Sequence, residues 1–331
     1  MTISRKYIKK IWRVDMAVLI NGRDLTIEEV IRVCREDEEV KLAEEAVAAV
    51  NKARAYIEKK LKEKAVIYGL TTGFGKFSNV VISPEETEKL QRNLIISHTC
   101  TMGNHYPRHY VRAAMLLRCN ALARGNSGIR LETLQTLIDM INKGVHPVIP
   151  EKGSLGASGD LAPLSHIALG LIGEGEVEYK GQIMPAAEAM KKAGIRPVTL
   201  ASKEGLALNN GTQMMTAIGL NVVWDAMKLQ KVADIACALT DEALHAIKKA
   251  YDPKIQELRG HQGQKDSAEN LRTLLEGSAN ALPLQPSKVQ DAYALRCVPQ
   301  IHGASRDAIK YAYDMVSREI NAVTDNPLVF P

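Results

Sequence analysis

Apolar side chains recur at intervals of three, four or seven residues along most of the chain, the spacing of helices that bury one face. Between residues 40 and 64, for example, Val50, Ile57 and Leu61 stand among charged residues, which predicts an amphipathic helix. Further helices are predicted over residues 83–97, 110–124, 131–143, 160–172, 212–250 and 302–322. Because a helix of ~40 residues spans ~60 Å and outgrows a compact domain, we expect the longest helices to lie together in a bundle.

Residues typical of helix ends stand at several of these boundaries. Thr26 and Glu29 have the spacing of a capping box, which predicts that a helix begins directly after Thr26. Gly125 and Gly144 are expected to end helices, because glycine adopts the left-handed backbone without steric cost. Asp160 is expected to cap the helix that follows it.

Patterns typical of strands are few. Leu19 and Ile20 precede the turn residues Asn21 and Gly22, which predicts a short strand near the start. Residues 176–183 alternate charged and apolar side chains about Lys180-Gly181, the pattern of a hairpin. The fold class predicted is therefore mainly α, a bundle of long helices with a smaller, mixed N-terminal part.

Composition and charge exclude several classes of protein. The chain has 331 residues, of which 46% are hydrophobic and 24% charged, so it is neither disordered nor too short for about two domains. Most of the net charge of +5 lies in residues 1–15, which we interpret as an N-terminal extension. The nearly neutral remainder argues against a nucleic-acid partner. No apolar run approaches the ~18 residues of a membrane helix, so we expect a cytoplasmic protein without a membrane partner.

Metal and nucleotide sites are also disfavoured. The five cysteines contain no C-x-x-C pair, and Pro107 separates His105 from His109, so these histidines are not expected to share a zinc-binding helix face. The glycine-rich loops match neither nucleotide-binding pattern. Asp160 occupies the final glycine position of a nucleophile elbow, which weakens a serine hydrolase interpretation.

The tripeptide Ala157-Ser158-Gly159 offers different chemistry. The Gly159 nitrogen can attack the Ala157 carbonyl carbon, and the Ser158 side chain can lose water, which gives an electrophilic methylidene-imidazolone (MIO). Glycine suits this step because it has no Cβ to block the approach. Ala-Ser-Gly is a common tripeptide, however, and from the tripeptide alone an ordinary turn is the more usual interpretation.

The surrounding sequence resembles a known family. Residues 153–166 (GSLGASGDLAPLSH) resemble the signature of the aromatic amino acid ammonia-lyases over their whole length. The resemblance extends from about residue 16 to the end, through residues 68–75, 210–213, 290–297 and 324–328. It implies an MIO-bearing domain over residues 16–200 and a central helical-bundle domain over residues 201–331. It also implies the MIO group as cofactor, without metal or nucleotide, and a homotetramer.

The resemblance assigns roles to individual residues. Ser97-His98 resembles the members that act on histidine, with His98 at the substrate ring, and so implies conversion of L-histidine to trans-urocanate and ammonia. Lyases or aminomutases for tyrosine or phenylalanine are the alternatives. Tyr68 matches the general base and Arg296 the partner of the substrate carboxylate. Asn210 and Tyr293 match residues that lie beside MIO and the substrate amine. Gln290 and Asn326 match polar residues that line the pocket.

The sequence departs from the family pattern at its end. Family members continue well beyond the Asn-Pro-Leu-Val-Phe segment, whereas this sequence ends at Pro331. We therefore expect an incomplete bundle that associates with itself or with a complementary C-terminal chain, and little or no activity from this chain alone. An inactive remnant and a gene fragment are the other interpretations.

Overall fold

The computed structural model describes residues 17–67, 69–70, 72–73 and 86–331. The predicted N-terminal extension, residues 1–15, lies outside them. The described part is mainly helical, as predicted, and none of its helices is long and apolar enough to cross a membrane. It forms two compact units, one of the residues up to Ile218 together with Arg318–Pro331, the other Gly219–Ser317.

The first unit is built around one buried helix. Its helices are α1 (Ile27–Glu36), α2 (Glu44–Lys62), α3 (Thr87–His98), α4 (Arg108–Ala123), α5 (Leu131–Lys143), α6 (Leu161–Leu171), α7 (Ala186–Ala193) and α8 (Glu204–Asn209). Every residue of α4 from 111 to 123 is buried, and α1, α2 and α5 pack against it. A helix that is buried on all sides is one that other elements surround.

Three small sheets connect the helices within the described part of this unit. β1 (Val18–Ile20) pairs in parallel with β2 (Val40–Leu42), and β3 (Met102–His105) pairs with β5 (Pro150–Lys152) in antiparallel fashion. The predicted hairpin is present as β6 (Glu176–Tyr179) and β7 (Gln182–Pro185), and β4 (Val145–Pro147) adds a third strand to it.

The helix ends predicted at Thr26, Gly125 and Gly144 are confirmed. Thr26 and Glu29 form both bonds of the capping box, at 3.2 Å from Glu29 N to Thr26 Oγ1 and 2.9 Å from Thr26 N to the Glu29 carboxylate. Gly144 follows α5 in the left-handed region, at φ +74°. Gly125 follows α4 by two residues and also has a positive φ, +78°.

Some predicted boundaries are wrong. Residues 40–42 form a strand rather than the first turn of a helix, because their backbone pairs with β1. The long helix ends at Ala243 instead of continuing to residue 250, and His245 takes a positive φ of +50° just beyond its end. The predicted start of the helix at residue 83 lies outside the described residues, which show α3 from Thr87.

The second unit consists of helices linked by a buried carboxylate. Asp234 is completely buried and accepts hydrogen bonds from Ser267 (3.0 Å), Asn270 (2.9 Å), His302 (2.7 Å) and Arg306. Burial alone would raise the pKa of Asp234, but these donors together lower it. The helices involved are α9 (Gln213–Ala243), α11 (Gln262–Leu274) and α13 (Val298–Glu319), and between them lie a 3₁₀ turn (Lys248–Tyr251), α10 (Pro253–Arg259) and α12 (Tyr293–Arg296).

A buried histidine in the first unit makes stability depend on pH. His146 is 3% exposed, and Arg112 Nη1 donates to its Nε2 at 2.8 Å, which requires that nitrogen to be unprotonated. Burial, together with the charge of Arg112, lowers the pKa of His146 from 6.5 to about 3. Between pH 6.5 and about pH 3 the unfolded chain binds a proton at His146 and the folded chain does not. The contribution of His146 to stability is therefore full above pH 6.5 and falls as the pH decreases.

We therefore expect His146 to lower the free energy of unfolding by about 2 kcal/mol when the pH decreases from 7 to 5. His146→Gln keeps an acceptor for Arg112 and should remove that part of the decrease. Urea unfolding at both pH values measures it, with His105→Gln, at an exposed position, as the matched control. An equal decrease in wild type and His146→Gln would contradict this assignment.

Candidate active site

The segment preceding α6 forms a tight loop at the surface of the first unit. Gly156 and Gly159 have φ of +77° and +87°, and the backbone of Gly159 turns back to pair with both Gly156 and Ala157. Ala157 and Ser158 are exposed. The loop therefore brings the backbone on both sides of Ser158 close together and leaves its side chain accessible.

Asn210 lies directly against this serine. Its Nδ2 is 3.2 Å from Ser158 Oγ and 3.3 Å from the Ser158 carbonyl oxygen, and the residue itself is 6% exposed. Asn210 directly follows α8, whose last residue, Asn209, bonds to Ser165 on α6 at 3.1 Å. The amide is thus held where it can polarise both the hydroxyl and the adjoining carbonyl.

Gly159 packs flush against a second glycine, Gly211. The Asp160 amide donates to the Gly211 carbonyl oxygen at 2.6 Å, and a Cβ on Gly159 would overlap that oxygen and lie 2.9 Å from the Gly211 carbonyl carbon. A Cβ on Gly156 would meet no atom of the described residues within 4 Å. Close packing therefore requires glycine at position 159, and position 156 lacks this constraint.

The prediction that the Asp160 side chain caps α6 is wrong. Asp160 anchors the loop instead. Its carboxylate accepts from the Met215 amide at 2.8 Å and from Ser154 Oγ at 3.4 Å. Burial raises the pKa of Asp160, and these hydrogen bonds act in the opposite direction. The carboxylate thus joins the loop to the start of α9.

His98 is the last residue of α3 and is half-buried. Its Nδ1 lies 2.8 Å from the Leu94 carbonyl oxygen, so Nδ1 carries the proton and Nε2 of the neutral ring is left as an acceptor. In the β3–β5 pair, Met102 lies opposite Lys152, the residue that precedes the loop segment. This ladder links the end of α3 to the loop.

Asn326 is exposed in the segment that follows α13. The neighbouring Thr324 accepts from the Thr212 amide at 3.3 Å, which places this segment beside the residues that follow Asn210. Asp325 is buried 3.6 Å from Lys203 Nζ. Burial lowers the pKa of Lys203, and the carboxylate of Asp325 partly offsets that effect.

Three predicted site residues lie in the second unit. Tyr293 and Arg296 stand one turn apart on α12, with the guanidinium carbon 4.2 Å from the centre of the tyrosine ring. Gln290 is exposed in the preceding segment. α12 is held by the Tyr251 hydroxyl, which lies 3.2 Å from the Leu295 carbonyl oxygen.

Tyr68 lies outside the described residues, so its role as a base stays a prediction. Among the described residues that follow it in sequence, Leu70 has its carbonyl oxygen 3.4 Å from Ser202 Oγ. His105 ends β3 and His109 stands in the first turn of α4, so Pro107 does separate them onto different elements. Across the described ranges no group of three acidic, histidine or cysteine side chains is arranged to hold a metal ion.

The sequence did not single out Arg118, a completely buried residue that bonds to the Asn210 carbonyl at 3.0 Å. Its only signal is a charge within the apolar helix predicted over residues 110–124.

Comparison with known proteins places this fold and loop in one family. The family model for the aromatic amino acid lyases matches residues 25–331, and the chain belongs to that family. It is 59% identical over 313 residues to a histidine ammonia-lyase from Alkaliphilus oremlandii and 58% identical over 314 residues to one from Alkaliphilus metalliredigens. Each alignment covers 95% of this chain and 62% of the relative, so the chain spans less than two thirds of their length.

Solved structures agree with the assignment of the fold. A histidine ammonia-lyase from Trypanosoma cruzi superposes with a TM-score of 0.87 at 40% identity, over 96% of this chain and 59% of that one. A phenylalanine aminomutase from Pantoea agglomerans gives a TM-score of 0.90 at 35% identity, over 95% and 64%. The predicted fold of the family is thereby confirmed.

Proposed function

We propose that this chain supplies part of an enzyme that removes ammonia from L-histidine without oxidation and releases trans-urocanate. The observation that carries the proposal is the contact of Asn210 with Ser158 in a loop whose Gly159 is packed against Gly211. Such a loop suits formation of the MIO group. Similarity to histidine ammonia-lyases at 55–59% identity supports histidine as substrate.

Ring formation uses groups of the loop itself. The Gly159 nitrogen bonds to the Ala157 carbonyl carbon, and the carbonyl oxygen leaves as water with one proton from the Gly159 nitrogen and one from the Ser158 nitrogen. The Ser158 hydroxyl then leaves as a second water with the proton from its own Cα. Asn210 donates toward that hydroxyl at 3.2 Å and toward the Ser158 carbonyl at 3.3 Å, which favours both the departure and the loss of the Cα proton.

The finished ring would supply an electrophile for the substrate amine. Arg296 would bind the carboxylate with its planar guanidinium, and Tyr68 would take a proton from the β-carbon. Because Nδ1 of His98 faces the Leu94 carbonyl, Nε2 would serve as the acceptor when the ring is neutral, which suits the N–H group of an imidazole ring better than the apolar ring of phenylalanine. Tyr293, Gln290 and Asn326 would line the pocket.

The proposed assembly is a homo-oligomer or a complex with a complementary chain. Along the part of α9 in the second unit, Val222, Leu229, Val232 and Leu239 are each more than half exposed. Apolar rows of this kind are surfaces that a partner helix covers.

The cytoplasmic location and a domain boundary near residue 200 remain predictions.

Substrate choice tests the proposal. Residues 25–331 of this chain would replace the matching part of the Alkaliphilus oremlandii relative, which restores the relative's full length at 59% identity. We expect this chimera to convert histidine far faster than phenylalanine or tyrosine, with urocanate followed by its absorbance. In the chimera, His98→Phe should lower kcat/KM for histidine by about ten- to a hundredfold, because an imidazole N–H loses its acceptor.

His105→Phe, at an exposed position of β3, serves as the control and should leave kcat/KM unchanged. Equal turnover of phenylalanine and histidine by the unsubstituted chimera would refute histidine as the substrate. Preference for phenylalanine or tyrosine would favour the alternative lyases and aminomutases.

A further inference from the structure

Arg118 stands in the middle of α4 without access to solvent. Its Nη1 donates to the Asn210 carbonyl at 3.0 Å and to Gln213 Oε1 at 2.9 Å, and its Nη2 donates to the Ala207 carbonyl. Burial lowers the pKa of Arg118, and the nearby carboxylate of Asp325 opposes that effect. A planar guanidinium can reach three acceptors in one plane, which the point charge of a lysine cannot do.

The backbone of Asn210 and Gly211 is held from both sides. On one side, a Cβ on Gly211 would overlap Arg118 Nη1 and Gln213 Oε1, so the guanidinium lies directly against this glycine. On the other side, the Gly211 carbonyl accepts from Asp160 N at 2.6 Å. Two consecutive peptide groups are therefore held: the one that carries the Asn210 carbonyl by the buried cation, and the one that carries the Gly211 carbonyl by the loop.

We propose that Arg118 is a positioning residue for ring closure: it fixes the backbone of Asn210 and Gly211, against which the loop is folded. The inference rests on the proposed function, because it concerns the ring which that function requires. Arg118 acts through Asn210 and Gly211.

Two contacts with the loop depend on the position of this backbone segment. Asn210 Nδ2 must stay within reach of Ser158, and the Gly211 carbonyl must stay in place for the Asp160 amide. If the guanidinium is lost, the backbone of Asn210 and Gly211 can shift, and both contacts move with it. Displacement of reacting groups by about 1 Å can slow a reaction by a factor of about a hundred.

A second buried arginine on α4 provides a matched control. Arg112 is 2% exposed and also donates to main-chain carbonyls, at 2.8 Å to Val33 and 2.9 Å to Ile141, but these lie away from the loop. The experiment compares Arg118→Lys with Arg112→Lys in the full chain. Ring closure is followed in freshly synthesised protein by intact mass over time, and folding by thermal unfolding.

We expect both variants to lose stability, while only Arg118→Lys slows the loss of two waters, by about tenfold or more. Gly211→Ala gives a second measurement, because its Cβ displaces the flexible end of Arg118 and keeps the charge; it should slow closure in the same way. Gly219→Ala, with only Val316 at 3.8 Å from its added Cβ, should not.

The outcomes separate the two proposals. A wild-type chain that keeps its unmodified mass would overturn the proposed function and this inference with it. If the wild-type chain closes the ring, and Gly211→Ala and every folded Arg118 variant close it at the same rate, the inference alone would be overturned. Equal slowing by Arg112→Lys would also overturn it, since loss of stability would then explain the effect.

Discussion

Gly159→Ala is expected to reduce ring closure by at least about a hundredfold, whereas Gly156→Ala should close at nearly the wild-type rate. Both glycines have a positive φ, so alanine at either position carries a backbone cost of about 1–2 kcal/mol. Only at position 159 does the added Cβ overlap backbone, at the Gly211 carbonyl, which cannot move aside as a flexible side chain would. Position 159 also supplies the attacking nitrogen, where a methyl group hinders the approach.

The pair of glycine variants separates packing from backbone strain. Intact mass of each purified variant gives the fraction of closed chains, and circular dichroism shows that each is folded. If Gly156→Ala prevented closure as completely as Gly159→Ala, strain in the loop would be the cause and the packing on Gly211 would not be.

The largest loss of stability is expected from Glu204→Ala, about 3–5 kcal/mol. Glu204 begins α8 and is completely buried. Its carboxylate accepts from Arg130 at 2.7 Å, from Thr133 at 2.7 Å and from the Ala201 amide at 2.8 Å. Removing it leaves these donors without an acceptor, among them a partly buried guanidinium.

Urea unfolding measures this loss. The matched control is Glu188→Ala, which removes an exposed ion pair with Lys192 on α7 and should change the free energy of unfolding by less than about 0.5 kcal/mol. A change below about 1 kcal/mol for Glu204→Ala would show that water replaces the carboxylate, contrary to its burial.

Local signals in the sequence were sufficient to predict most helices. The capping box of α1 and the glycine after α5 act within one turn, so the residues themselves specify the boundary. The pairing of β2 with β1 and of β3 with β5 was missed, because each depends on a partner strand far along the chain. A window of sequence does not contain that partner.

The residues of the candidate site likewise include some that the sequence predicts and some that it does not. Ala157, Ser158 and Gly159 were predicted from their own chemistry and from the resemblance to the lyases. Arg118 was not, because a charged residue in an apolar helix has no visible partner until the chain is folded. Asp160 was given a local capping role by its position, but its carboxylate bonds to Met215 instead.

The central claim is that residues 157–159 form a ring, and the mass of one peptide tests it most directly. Trypsin should release residues 153–180, which contain the whole loop, and fragmentation locates any change within it. We predict that this peptide from the purified chain is lighter by two water molecules at residues 157–159. The same peptide from Ser158→Ala has no hydroxyl to lose and should lack the second loss. A wild-type peptide of full, unmodified mass would contradict the account.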